Sequence, residues 1–102
     1  MARSIRYKHD FAIPVHPGEI LEEILSAKGL SQSDLARHLG ETYTKINEIC
    51  RGRRGISAEM AMKLARAFRQ SPAFWINLQK NWELSRVQEE KYASIKPISR
   101  VA

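Results

Sequence analysis

The chain has 102 residues, of which 43% are hydrophobic and 27% are charged. This length corresponds to one domain, and the composition is typical of a globular protein rather than a disordered one. The longest apolar run, from Ala73 to Ile76, is too short for a transmembrane helix, and the charged amino terminus lacks the apolar segment of a secretion signal. The single cysteine excludes an internal disulfide. We therefore expect a small cytoplasmic domain with no membrane contact.

The formal net charge is +6, and the excess of basic residues is concentrated in the middle of the chain. The range 37–69 contains eight Lys or Arg and three acids, whereas the range 11–36 contains one Lys and four acids. Clustered basic residues favour a polyanionic partner, because they release counterions from phosphates. The same charges would also suit a solvated surface, so the position of the basic residues has to decide between the two interpretations.

Capping residues divide the chain into five segments in which apolar residues recur at helical spacing. The first helix is predicted at 17–28, with Pro17 in its first turn and Gly29 at its end. The predicted N-caps of the four later helices are Ser31, Thr42, Ser57 and Ser71. No segment shows sustained period-two alternation, so the sequence predicts an all-α fold of five helices.

The two ends of the chain differ from this helical region, which we place at 17–88. Apolar side chains at odd positions in the first sixteen residues hint at a strand, but Pro14 and Pro17 disfavour one. We therefore predict an extended N-terminal arm at 1–16 and a short C-terminal tail at 89–102.

The centre of the chain has the pattern of a helix-turn-helix. Ala36 is small enough for the point where two helices cross, and Gly40 tolerates the positive φ of a tight turn. The full pattern is Gln32, Leu35, Ala36, Leu39, Gly40, Ile46 and Ile49. An ordinary helical hairpin is the alternative interpretation.

With this pattern the chain resembles the Xre/Cro-type (lambda-repressor-like) helix-turn-helix superfamily, and within it the HigA (VapI-like) antitoxins of toxin–antitoxin modules. The resemblance also rests on three further segments, which are His16–Leu21, Arg53–Ala61 and Ser71–Gln79. One departure is Glu41, at a position after the turn glycine where this family usually has an aliphatic residue. The resemblance implies a five-helix DNA-binding domain.

In such a motif the second helix, here 42–51, enters the major groove and presents its outward residues to base edges. Asn47 can pair with adenine through two hydrogen bonds, and Lys45 or Arg51 can reach guanine or phosphate. The remaining basic residues around the motif are expected to contact phosphates. The predicted DNA-binding residues are Gln32, Ser33, Arg37, Thr42, Tyr43, Thr44, Lys45, Asn47, Glu48, Arg51, Arg53 and Arg54.

The fifth predicted helix has an aromatic face. Phe74 and Leu78 are expected in the core, which is the usual place for apolar residues at helical spacing. Two tryptophans in one short helix also fit a protein interface, because the ring is apolar and its N–H needs a partner. We therefore predict Trp75 and Trp82 at a homodimer interface, which the resemblance also implies.

The resemblance implies a second protein partner, a HigB-like toxin that is a small RelE-type mRNA-cleaving endonuclease. A basic nuclease needs acidic or apolar contacts, and the range 37–54 has the wrong charge for them. The predicted toxin-binding residues are Tyr7, Phe11, Ile13, Val15, Glu19, Glu22 and Glu23. Alternatively, the arm covers the domain's own core, and the acids stabilise the first helix through its dipole.

We expect no catalytic residues, no metal site and no cofactor. His9, His16 and His38 have no helical spacing that would join them to other ligands, and we expect all three at the surface. Cys50 lies on the apolar face of the third helix, where a thiol is usually inert. The leading hypothesis is an antitoxin that represses its own operon at palindromic operator DNA. The alternatives are a stand-alone Xre-type repressor without a toxin and an interaction module that no longer binds DNA.

Overall fold

The computed structural model describes residues 14–99. Within this range the chain forms five α-helices, one 3₁₀ helix and no strand, which confirms the predicted all-α fold. The helices are α1 (Pro17–Lys28), α2 (Gln32–Leu39), α3 (Tyr43–Cys50), α4 (Ala58–Phe68) and α5 (Pro72–Ser85), and the 3₁₀ helix spans Glu89–Tyr92.

Side-chain caps determine where each α-helix begins. The four predicted caps each accept a hydrogen bond from a backbone N–H in the first turn of the helix that follows. Ser31 forms a full capping box, because its hydroxyl accepts from the Asp34 amide while the Asp34 carboxylate accepts from the Ser31 amide. Gly29 and Gly40 end α1 and α2 in the left-handed conformation, with φ values of 67° and 71°. The predicted helix boundaries are therefore confirmed for α1 and α2.

The core lies between α1 and the four helices that follow it. Ile20, Leu21 and Ile24 of α1 are completely buried, and they belong to one cluster with residues of all the other helices. A Cβ on Gly18 would fall on the backbone carbonyl of Ile49, so α1 and α3 approach each other more closely than any other residue at position 18 would permit. This close approach fixes α3 against α1.

Trp75 is 0% exposed and belongs to the central core cluster. Its indole N–H donates to the Gln70 side chain over 2.7 Å, so the polar atom of the ring is also satisfied within the chain. A side chain with no accessible surface cannot contact a second molecule, and the prediction of Trp75 at a dimer interface is therefore wrong. Trp82 is only half-buried, and Phe74 and Leu78 pack against the core while partly exposed.

His16 is 6% exposed, so the prediction of a surface position is wrong for this histidine. Its Nδ1 atom accepts a hydrogen bond from the Gly18 amide over 2.9 Å and thereby caps α1. The ring also packs edge-on against Trp82, with a centroid distance of 4.8 Å. His38 is exposed as predicted, whereas His9 lies outside the described residues.

The chain after Trp82 leaves several apolar side chains in contact with solvent. Leu84, Val87, Tyr92, Ile95 and Ile98 are all exposed.

None of the helices in the described range 14–99 is both long and apolar enough to cross a bilayer.

Candidate nucleic-acid interface

The turn between α2 and α3 is closed by backbone hydrogen bonds. The amides of Gly40 and Glu41 donate back to the carbonyls of Arg37 and Ala36, over 3.4 and 2.9 Å. This pattern is a Schellman motif, in which the left-handed residue reverses the chain. Thr42 then caps α3 through its hydroxyl, so only three residues separate the end of α2 from the start of α3.

The inward and outward sides of α3 separate cleanly. Ile46, Ile49 and Cys50 are buried in the core, and every other residue of α3 retains exposed surface. The predicted base-reading residues on this helix therefore lie on its outward side, and they are Tyr43, Thr44, Lys45, Asn47 and Glu48. The outward side is polar throughout, which is the character that contact with base edges requires.

Asn47 is held in place by a side-chain network. Its amide nitrogen donates to the Gln32 side-chain oxygen over 2.9 Å and to the Tyr43 hydroxyl over 3.4 Å. Gln32 in turn donates to Glu22 of α1 over 3.3 Å. The network joins the start of α2 to the middle of α3, so Asn47 is orientated before any ligand binds. It also places Glu22, a predicted toxin contact, beside the predicted DNA-binding residue Gln32.

All the arginines among the predicted phosphate-binding residues are exposed, and two of them form ion pairs. Arg37 pairs with Asp34, and Arg54 pairs with Glu48, both over 2.8 Å. The amide and hydroxyl of Ser31, with a smaller contribution from Arg37, lower the pKa of the Asp34 carboxyl, so this acid stays charged. Arg51 caps the end of α3, and both Arg51 and Arg53 are exposed, as is Ser33 at the start of α2.

Glu41 forms a contact that the sequence analysis missed. Its carboxylate accepts from Lys63 of α4 over 2.5 Å and lies 3.1 Å from the ammonium of Lys45. Hydrogen bonds from these two lysines hold the pKa of the Glu41 carboxyl below its usual range. The spacing of Glu41 and Lys45 in the sequence suggests a helical pair, but nothing local in the sequence identifies Lys63 as a partner.

The loop between α3 and α4, which carries Arg53 and Arg54, is tied to α5 by Gln79. The Gln79 side-chain oxygen accepts from the Ile56 amide over 2.7 Å, and the side chain is 5% exposed. Gly55 faces the same amide group so closely that a Cβ at this position would require Gln79 to move. The sequence analysis missed Gln79, although a glutamine four residues after Trp75 on the inward face of α5 was a usable signal.

The predicted toxin-binding residues are only partly within the described range. Tyr7, Phe11 and Ile13 lie outside it, and Val15 packs partly buried against the core. Glu19 and Glu22 are exposed on α1, and Glu23 is half-buried.

No group of His, Cys, Asp or Glu in residues 14–99 could hold a metal ion. Burial raises the pKa of the Cys50 thiol to about 12, so this thiol remains protonated, as expected for an inert cysteine.

A family model described as Helix-turn-helix matches residues 21–75 of the chain. These residues include the whole of α2, the turn and α3. Among similar proteins, Virulence-associated protein A' of Dichelobacter nodosus is 42% identical over 78 residues, which are 76% of this chain and 68% of that protein.

Several similar solved structures contain DNA. One is PA4674 from Pseudomonas aeruginosa in complex with its 18-bp operator DNA, which has 40% identity and a TM-score of 0.77 and covers 84% of this chain and 98% of that one. Another is Pseudomonas aeruginosa antitoxin HigA with the higBA promoter, which has 40% identity and a TM-score of 0.73 and covers 85% of this chain and all of that one.

Proposed function

Since the chain belongs to the helix-turn-helix family, in the group of HigA and VapI-like proteins, we propose that it is a non-enzymatic antitoxin and autorepressor. In this proposal a homodimer binds palindromic operator DNA through α3, and the protein also neutralises a RelE-type or HigB-type mRNA-cleaving toxin. The observation that carries the DNA-binding part is the polar outward side of α3, on which Asn47 is orientated by Gln32. Similar proteins were solved with their operator or promoter DNA.

The proposed recognition divides the interface into base-reading and positioning residues. With α3 in the major groove, Asn47 forms two hydrogen bonds with an adenine, for which its amide nitrogen gives up the 3.4 Å contact with the Tyr43 hydroxyl and keeps the one with Gln32. The methyl group of Thr44 fits beside a thymine. The exposed guanidinium groups of Arg51 and Arg53 bind phosphates and contribute affinity without sequence preference. The pre-orientated amide of Asn47 lowers the entropy that base recognition would otherwise cost.

A dimer places two such helices on one duplex. The proposed interface begins at Trp82, which is half-buried, and continues through the exposed apolar residues Leu84 and Val87. These residues are close in sequence and leave apolar surface exposed, which is the character of many protein–protein contacts. A two-fold arrangement would separate the two recognition helices by about one turn of DNA, ~34 Å, and so favour palindromic operators.

Toxin binding is assigned in this proposal to the N-terminal arm and to the acids of α1. Glu19 and Glu22 are exposed and could face a basic nuclease, while the apolar residues of the arm would anchor it. The support for this part is the charge of α1 and the similarity to proteins named as antitoxins. A stand-alone repressor without a toxin remains the second candidate function, and proteins described only as transcriptional regulators are also among the relatives.

The DNA-binding part is tested by comparing Asn47→Ala with Arg53→Ala. A duplex selected from a random library and a scrambled duplex of equal composition serve as probes in fluorescence anisotropy. Asn47→Ala should weaken the selected duplex by ~1–3 kcal/mol and leave the scrambled one almost unchanged. Arg53→Ala should weaken both duplexes and reduce the salt slope by about one. Lys80→Ala on α5 removes the same charge outside the interface and is the matched control. Equal weakening of both duplexes by Asn47→Ala would exclude base reading by this residue.

The dimer is tested by Trp82→Glu, with Asn81→Glu as the control at the adjacent exposed position. Sedimentation velocity should find a dimer for the wild type and for Asn81→Glu, and a folded monomer for Trp82→Glu. A folded Trp82→Glu dimer would place the interface elsewhere on the protein. Should Trp82→Glu unfold, Val87→Glu at an exposed position of the same interface replaces it.

The toxin part is tested by deletion of residues 1–13, which leaves every described helix intact. The probe is the product of the adjacent open reading frame, with binding measured by calorimetry and neutralisation by a translation assay. The deletion should abolish neutralisation and keep operator binding within a few-fold of the wild type. Full toxin affinity after deletion would remove the arm from the site. An adjacent product that the full chain does not bind favours the stand-alone repressor.

A further inference from the structure

Glu41 occupies a position at which a charged residue is unusual. It is the second residue after the end of α2, and in a Schellman motif this residue commonly makes an apolar contact with the last turn of the helix. Its side chain is only 10% exposed, so the carboxylate has lost most of its contact with water. A largely buried carboxylate requires compensating charge or hydrogen bonds, because its desolvation is unfavourable.

Two lysines from different helices supply that compensation. Lys63 of α4 donates to one carboxylate oxygen over 2.5 Å, and the ammonium of Lys45 lies 3.1 Å from the other. The side chain of Lys45 is 38% exposed and that of Lys63 is 30% exposed, so neither cation is fully solvated. Glu41 therefore connects the first turn of α3 to α4 through two ion pairs at the edge of the core.

Lys45 is also one of the cations that the proposed interface would offer to DNA. A carboxylate 3.1 Å away competes with a phosphate for the same ammonium group. The attraction is stronger here than between fully exposed charges, because the partly buried carboxylate is less screened by water. Moving Lys45 onto a phosphate would leave Glu41 with one partner in place of two.

We propose that Glu41 is a specificity-determining residue of the DNA interface, which withholds Lys45 from phosphates and so weakens the binding of non-operator DNA. This inference rests on the proposed function. Non-specific affinity comes almost entirely from contacts between cations and phosphates, whereas operator affinity also includes base contacts. Where base contacts of α3 set the register of the operator complex, Lys45 stays paired with Glu41 and the operator loses no contact. Random DNA is held by phosphate contacts alone and loses one of them, so the discrimination between operator and random DNA increases.

The test compares Glu41→Gln with Glu59→Gln. Both variants remove one negative charge near Lys63, but Glu59 is 80% exposed, lies 3.9 Å from Lys63 and stands outside the turn. Affinities for a scrambled duplex and for the duplex selected from a random library are measured over a series of salt concentrations. Glu41→Gln should bind the scrambled duplex several-fold more tightly than Glu59→Gln at low salt. Its plot of log K against log [salt] should be steeper by about 0.9, the value for one additional phosphate contact.

A second substitution identifies the cation involved. In the Glu41→Gln background, Lys45→Gln should remove the whole gain in affinity and in salt slope. In the wild-type background, Lys45→Gln should change scrambled-duplex affinity less than Arg53→Ala does, because Lys45 is already withheld. This second measurement also applies if Glu41→Gln fails to fold, which circular dichroism would reveal.

Three outcomes would overturn the inference. The first is a Glu41→Gln variant that binds the scrambled duplex no better than Glu59→Gln. The second is a gain that survives Lys45→Gln, and the third is a wild-type Lys45→Gln effect as large as that of Arg53→Ala. A wild-type chain that does not distinguish the selected duplex from the scrambled one contradicts the proposed function instead. The scrambled-duplex comparison still measures the effect of Glu41 on Lys45 in that case.

Discussion

α3 and α5 differ in how their apolar residues are arranged. In α3 the apolar side chains Ile46 and Ile49 are buried with Cys50, and all other residues of the helix are at least partly exposed. In α5 only Trp75 and Gln79 are buried, while Leu84 near the helix end is 71% exposed. The pattern of apolar and polar residues in α3 therefore identifies which of its residues are buried. In α5 the same pattern does not, because a buried position is occupied by a polar residue that binds a neighbouring loop.

Gln79 illustrates what its neighbours require. The amide of Ile56 is buried in the loop before α4, where it has no acceptor within a helix, and the Gln79 side-chain oxygen accepts from it. A buried amide without an acceptor is unfavourable, so a polar side chain occupies a position that helical spacing would assign to an apolar one. The spacing of apolar residues thus predicts the buried side of α3 correctly but does not predict the buried side of α5.

The largest expected effect contrasts the two tryptophans of α5. Trp75→Ala should lower the free energy of unfolding by ~3–5 kcal/mol, because it empties a completely buried site. Trp82→Ala should cost clearly less, since that ring is half-buried. Urea unfolding followed by circular dichroism measures the loss of unfolding free energy for each variant. Repeating it at several protein concentrations separates folding from association, because only association depends on concentration. Equal costs at the two positions would contradict the assignment of Trp75 to the core and of Trp82 to its edge.

The helices and the recognition motif could be predicted because their determinants are local. Ser31 and Asp34 are three residues apart, Gly40 adjoins the helix that it ends, and the apolar residues of α3 recur within one turn. Each of these signals depends on neighbours within about four residues, which the sequence displays directly. The outward side of α3 follows as the polar complement of its buried side.

The contacts that hold the site together could not be predicted, because they join distant residues. Glu41 and Lys63 are 22 residues apart, and Ile56 and Gln79 are 23 apart. Their pairing depends on how α4 and α5 pack against the motif, which apolar spacing does not specify. The burial of His16 could not be predicted either, because the ring packs against Trp82 near the end of α5, which is distant in the sequence.

A smaller effect is expected for Gln79→Leu. The substitution adds apolar character to a buried position but leaves the Ile56 amide without its acceptor, and we expect a loss of ~1–3 kcal/mol in unfolding free energy. Asn77→Leu, at an exposed position two residues earlier on α5, should be almost neutral and is the control. A stabilised Gln79→Leu protein would mean that polarity alone determines the inward side of α5, as it does in α3.

The smallest effect concerns the pH dependence of His16, which links the start of α1 to the end of α5. Burial lowers its pKa below the usual value of 6.5, and this outweighs the opposing effects of Glu19 and of a hydrogen bond to the Arg54 backbone. The Nδ1 atom must also remain unprotonated in order to accept from Gly18. The folded chain therefore contains the neutral imidazole over a pH range in which the unfolded chain has already bound a proton.

The sign of the pH effect follows from this difference in proton binding. At pH values well above 6.5 both states are neutral at His16, and the full stability is present. As the pH falls below 6.5, the unfolded state binds the proton first, so the free energy of unfolding decreases until the folded-state pKa is reached. His16→Asn keeps a capping oxygen but cannot titrate, and the other histidines contribute equally to both proteins. Urea unfolding at several pH values between about 8 and 5 should find that the advantage of the wild type over His16→Asn shrinks as the pH falls. An advantage that stays constant across this range would contradict a neutral, buried His16 as the cap of α1.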